Sequence, residues 1–182
     1  MTNKKGAFEV VDAASARSKA LVADLLVMTE TGDFYLNKAC EALARLRGAT
    51  HAFVILVHSD QFFLVGRYGY VQNAYTLPQN IQPDWKGEEQ IELLNPATDF
   101  DGFDDLPEEF KVHHYVHLAP MRVEGTPVGF VGLANIDPMP PATPDQRIAL
   151  DLVRDMVVER LRQHHLLKRH TRELFGILQG DS

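Results

Sequence analysis

The sequence of 182 residues has a single cysteine, Cys40, which excludes an intrachain disulfide and any zinc site built from several thiolates. No stretch approaches the roughly 18 consecutive apolar residues of a membrane span. The N-terminal MTNKKGAFEVVDAA carries no apolar run of the kind a secretory leader needs. Bases are scarce, 18 Lys and Arg against 25 Asp and Glu, and a net charge of −7 disfavours a dedicated nucleic-acid binder. Nothing in the spacing of Ser, His and carboxylates argues for catalysis. These absences predict a cytoplasmic, non-enzymatic protein that binds neither nucleic acid nor membrane. Its 45% hydrophobic and 24% charged residues are the mix of an ordinary globular domain with an adequate core.

The charges that are present are segregated. From Asp84 to Lys111 ten carboxylates face only two lysines, whereas between Arg154 and Glu173 six bases outweigh three acids. An acidic central connection and a basic C-terminal stretch follow.

In chain order, apolar residues between Asp12 and Met28 fall at helical spacing and predict a first amphipathic helix. Asp33 is an N-cap candidate for a second helix, Phe34–Arg47, closed by Gly48. Cys40 lies on its apolar face and reads as a small buried hydrophobe. HAFVILVH at 51–58 is almost wholly apolar and β-branched or aromatic, as a strand covered on both faces must be. Its hairpin partner is QFFLVGRYGY at 61–70, with Gly66 at a bulge or a close approach.

Residues 71–110 form a connection long enough to be functional. QIELLN at 90–95 reads as a short strand and LPEEF at 106–110 as a short helix. Asp99, Asp101, Gly102 and Glu108 approach an EF-hand spacing, but Ala97 stands at its first position, so a solvated acidic loop is the better reading. Tyr68, Tyr70, Tyr75 and Trp85, together with Tyr115, either line a pocket or pack a lid.

The strand 112–122 divides by parity: Val112, His114, Val116 and Leu118 on one side, His113, Tyr115, His117 and Met121 on the other. The aliphatic set is assigned to a helix layer, which turns His113, Tyr115 and His117 toward the 71–110 connection. His113 and His117 stand about 13 Å apart along a strand, too far to share one ion unaided. After a turn at Glu124-Gly125, residues 127–135 return as an apolar strand. Thr143-Pro144-Asp145-Gln146 is a capping box. It opens a helix with Leu150, Val153, Val157 and Leu161 on one stripe, then Leu167, Thr171, Leu174 and Leu178 on a shifted one. The helix outruns the sheet, and a second copy of itself is the simplest partner for its distal half.

Leu43–Leu56, Leu118–Asn135 with Pro120, Gly125 and Gly129, and Pro141–Leu161 together resemble the GAF domain, a small-molecule-sensing relative of PAS domains. The resemblance spans about residues 30–165. It implies an α+β fold, an antiparallel sheet of five or six strands with the terminal helices on one face and a ligand-enclosing connection on the other. It divides the chain into an N-terminal helix (1–29), the GAF-like domain (30–161) and a C-terminal extension (162–182). The expected function is sensing: an unidentified small molecule binds between the sheet and the 71–110 connection, contacting Tyr68, Tyr75, Trp85, His113, Tyr115 and His117. Dimeric terminal helices would carry occupancy to an effector protein or domain. The alternative is a ligand-free dimerisation or protein-interaction module. No cofactor is specified: the several cysteines of methionine sulfoxide-reducing members, the chromophore-linking cysteine of bilin binders and the NKFDE-type signature of cyclic-nucleotide binders are all missing.

Overall fold

The computed structural model describes residues 16–26, 33–59, 61–76, 89–100 and 103–180, with side chains as far as 175. Residues 16–26 form α1, and the expected flanks of that helix lie outside the described residues. α2 (Phe34–Arg47) has the predicted ends: the Asp33 carboxylate accepts from the Tyr35 and Leu36 amides, and the Gly48 amide donates to Ala44 and Arg45 carbonyls. β1 (His51–His58) and β2 (Gln61–Tyr68) make the expected hairpin. The connection then supplies β3 (Ala74–Thr76), which the sequence did not signal, β4 (Ile91–Leu93), and two single turns, α3 (Pro96–Asp99) and α4 (Glu108–Lys111). β5 (Tyr115–Val123), β6 (Thr126–Asn135) and α5 (Pro144–Gly180) complete the chain.

The strands form one antiparallel sheet in the order β3-β2-β1-β6-β5-β4. Its register slips by one residue between Val54 and Ile55, opposite Leu64 and Gly66, a bulge at the predicted glycine. A Cβ on Gly66 would sit 2.8 Å from Leu36 Cβ, so glycine there lets α2 lie directly on β2.

Two hydrophobic layers sandwich the sheet. On one face Leu21, Val22 and Leu25 of α1, Leu36, Cys40 and Leu43 of α2, and Leu150, Val157 and Leu161 of α5 bury Val54, Leu56, Met121, Val131 and Leu133. On the other, Phe53, Ile55, Leu64, Phe130 and Ala134 are covered by Tyr70, Tyr75 and Phe110 from the connection. The parity of β5 is the reverse of the expectation. Tyr115, Ala119 and Met121 pack in the helix layer, and Val116 and Leu118 lie on the connection side.

The capping box of α5 is present in both directions. Thr143 N–H donates to Gln146 Oε1 at 2.9 Å and Gln146 N–H to Thr143 Oγ1 at 3.3 Å. At 37 residues α5 is about 55 Å long, against about 33 Å for the 10-residue β6. Its second stripe turns outward: Leu167 and Leu174 are 65% and 64% exposed. The basic stretch is more than a solvated face, because Arg160, His164, Lys168 and Arg172, each four residues from the next, line up along α5. Asp33 meets Arg160 and His164 at 3.2 and 3.3 Å, and Asp24 meets Lys168 and Arg172 at 3.1 and 3.0 Å.

Candidate functional site

Two sets of polar groups are buried against the sheet, one on each face. On the helix face, β4 pairs with β5 so that Glu92 lies opposite His117. Tyr115 Oη donates to Glu92 Oε1 at 2.7 Å and accepts from Arg47 Nη2 at 2.9 Å. The same carboxylate accepts the Ala142 amide and pairs with Arg147 near the start of α5. Gln90 Nε2 donates to the Arg147 carbonyl, which turns Gln90 Oε1 toward His117 and fixes the His117 proton on Nε2, 2.7 Å away. Burial works against the Glu92 charge, yet the Tyr115 and Ala142 hydrogen bonds and the Arg147 charge hold its carboxyl below the usual range. Tyr115, Glu92 and Gln90 are satisfied in this network, while Arg47 Nε is buried without a partner. The network ties the β4 edge, the end of α2 and the start of α5 together, and it leaves Tyr115 Oη and His117 Nε2 occupied.

On the connection face the arrangement is different. Tyr70, just past β2, Tyr75 of β3, Phe110 of α4, and His51 and His113 form a nest of rings. The His51 ring lies 4.7 Å from that of Tyr70 and 4.6 Å from that of His113, and Phe110 lies 5.6 Å from Tyr70 and 4.7 Å from Tyr75. Tyr70 and Tyr75 are each 6% exposed and His113 2%. Among the described residues Tyr70 Oη and His113 Nε2 have no hydrogen-bond partner, while Tyr75 Oη lies against Glu109 and the Gln72 backbone. Unpaired buried polar atoms cost about 1–3 kcal/mol each, so two in one cluster call for an account.

The protonation states follow from the geometry. His113 Nδ1 lies 3.0 Å from the Phe110 carbonyl, which can only accept, so Nδ1 carries the proton and Nε2 is a bare lone pair. Burial, reinforced by His51, brings the His113 pKa down to about 4, so the ring is neutral at pH 7. Burial likewise lowers His51 against the opposing pull of Glu109. Burial raises both tyrosines well above the ordinary phenol value. The Glu109 carboxylate, beside Tyr75, adds to this. Glu109 accepts the Val71 amide at 3.4 Å, while the adjacent Lys111 is held by Glu108.

The expected site residues are therefore divided. Tyr75 and His113 are in the nest. Tyr115, His117 and Tyr68 lie on the helix face, where Tyr68 packs against the core of α1, α2 and α5. That corrects the assumption that they share a face with the connection. Trp85 lies outside the described residues. Sequence reasoning missed His51, Glu109 and Phe110 as neighbours. Tyr70 was among the aromatics read as lining a pocket or packing a lid. Among the described residues no group of three or more His, Cys, Asp or Glu side chains is placed to hold a metal ion, and Asp99 instead accepts the Asn95 amide.

No family model matches the sequence, and no curated protein is significantly similar to it. The fold does have counterparts, and it is that of GAF domains. The PixJ GAF domain of Thermosynechococcus elongatus, in its blue-light-absorbing form, aligns with a TM-score of 0.59 at 10% identity, over 78% of this chain and 90% of its own. A phycoerythrobilin-bound GAF domain of a cyanobacterial phytochrome aligns with a TM-score of 0.59 at 11% identity, over 86% and 97%. A GAF domain assigned to a sensor histidine kinase of Pseudomonas syringae pv. tomato aligns with a TM-score of 0.50 at 16% identity, over 91% and 99%.

Proposed function

We propose that this chain is a sensory GAF-type domain that binds a small molecule in the nest formed by His51, Tyr70, Tyr75, Glu109, Phe110 and His113. The observation that carries the reading is that Tyr70 Oη and His113 Nε2 are buried without partners on rings 5.8 Å apart in one aromatic cluster. A binding site keeps such groups open for its ligand at a cost to the free protein. Counterparts of the fold include a bilin-bound phytochrome domain and a domain assigned to a sensor kinase, which supports sensing as the general role. Ligand occupancy would bias the connection, and through β5 the helix layer, toward one of two packings. The sensor acts on an effector in the same or another chain. It is not proposed to be an enzyme.

The test is mass spectrometry of molecules released on denaturing the purified protein, run beside a Tyr70→Phe, Tyr75→Phe double variant. A small molecule carried by the parent and lost from the folded variant supports the reading. Equal recovery from both removes the nest from the site.

A second reading, a dimerisation module acting without ligand, is favoured by a different surface. A groove of about 530 Å³ between α2 and α5 is lined by Tyr35, Ala39, Leu152, Met156 and Gln163, with Ile148, Leu152 and Met156 exposed along α5. A second copy of the chain laid along α5 would cover it. Sedimentation of Leu152→Asp and Met156→Asp variants decides: dimers that fall to monomers support this surface, and dimers that persist exclude it.

A further inference from the structure

The nest presents a ligand with acceptors and π faces rather than with positive charge. His113 Nε2 offers only a lone pair, because the ring's single proton is committed to the Phe110 carbonyl. The Tyr75 hydroxyl faces the Glu109 carboxylate, and Glu109 has no ion-pair partner among the described residues. Tyr70, Tyr75 and Phe110 contribute three aromatic rings whose faces attract cations. Of the nearby bases, Lys111 is engaged by Glu108, and the Arg67 charge acts on Tyr75 at the β2 side of the nest.

The surroundings carry the same sign. α4 and the turn before it expose Asp104, Asp105 and Glu108. A field of that sign draws in cations and turns anions away.

Building on the sensor reading, we infer that the nest binds a small organic cation, an ammonium or protonated aromatic amine, with its charge against Glu109, an N–H donated to His113 Nε2 and its carbon skeleton on the tyrosine and phenylalanine rings. A carboxylate or phosphate ligand would meet Glu109 unfavourably. A neutral ligand would fill the nest and leave that carboxylate without a counter-charge.

Three probes of one shape separate these cases in the full chain: benzylamine, protonated at pH 7, benzyl alcohol and benzoate. The readout is proton–carbon NMR of the histidine rings, with the His113 and His51 signals assigned from single His→Asn variants. Benzylamine at millimolar concentration is expected to shift both signals saturably, more tightly than benzyl alcohol, with benzoate inert. Glu109→Gln, folded as judged by an unchanged cooperative thermal transition, should weaken benzylamine by about tenfold or more. Benzoate or benzyl alcohol binding as well as benzylamine, or an indifferent Glu109→Gln, overturns the cation assignment and leaves the nest as a site. Silence of the nest signals toward all three probes overturns both the assignment and the nest.

Discussion

Asp33 and Arg160, 127 positions apart in sequence, meet at 3.2 Å while Asp33 also caps α2 through the Tyr35 and Leu36 amides. One carboxylate, 8% exposed, thereby serves a helix terminus and an inter-helix contact. Asp33→Ala should cost about 2 kcal/mol or more, the upper range for a lost cap, because it also strands Arg160 and His164. Asp33→Asn keeps the cap and should cost less than half of that. Urea unfolding of the three proteins measures the difference.

The two buried polar clusters predict opposite responses to the same change. Tyr70→Phe removes a hydroxyl without a partner and should leave the ligand-free protein as stable or more stable, by up to about 1 kcal/mol. Tyr115→Phe removes a hydroxyl that serves both Arg47 and Glu92 and should destabilise by about 1–3 kcal/mol. Thermal unfolding should separate them, since 1 kcal/mol is worth about 2–4 °C at this chain length.

Acid should weaken the fold before its carboxylates titrate. His113 and His117 are both held down to about 4 in the folded state, chiefly by burial, against an ordinary value of 6.5. The unfolded chain therefore binds more protons than the folded one between these values. The stabilisation is full above about pH 6.5 and is lost progressively as pH falls toward about 4. His117→Gln, which retains a donor for Gln90, should flatten this slope in urea titrations at pH 5 and 7. An unchanged slope would show that His117 is not a source of it.

Cys40 is 1% exposed and its thiol is pushed far up by burial, so the thiolate is negligible at neutral pH. A thiol-reactive dye should leave it unmodified for as long as the protein stays folded and label one equivalent in urea. Labelling at the rate of a free thiol would contradict the packing of α2 on the sheet.

The element pattern was legible in the sequence because each signal was local: the Asp33 and Gly48 ends of α2, the apolar run of β1, the capping box of Thr143 and Gln146. The face assignment of β5 was not legible. Both sides of this sheet are covered, so Val116 and Leu118 on one side and Tyr115 and Met121 on the other are all apolar enough to be buried, and alternation carries no label of inside or outside. What draws Tyr115 and His117 to the helix side is Arg47, Gln90 and Glu92, which lie 68, 27 and 23 positions from their partners and become neighbours only once the strands pair. The nest was hidden for the same reason. His51, Tyr70, Phe110 and His113 come from separate stretches, and aromatic content alone did not identify which of them converge.

β5 is the strand that these two clusters hold in common. Val116 and Leu118 back onto the layer containing Tyr70 and Tyr75, while Tyr115 and His117 grip the ends of α2, β4 and α5. It is a party wall: a displacement of its backbone cannot be felt on one side alone. A ligand that moved this strand would need no other route to the helices, because the same peptide units that form the back of one room carry the fastenings of the next.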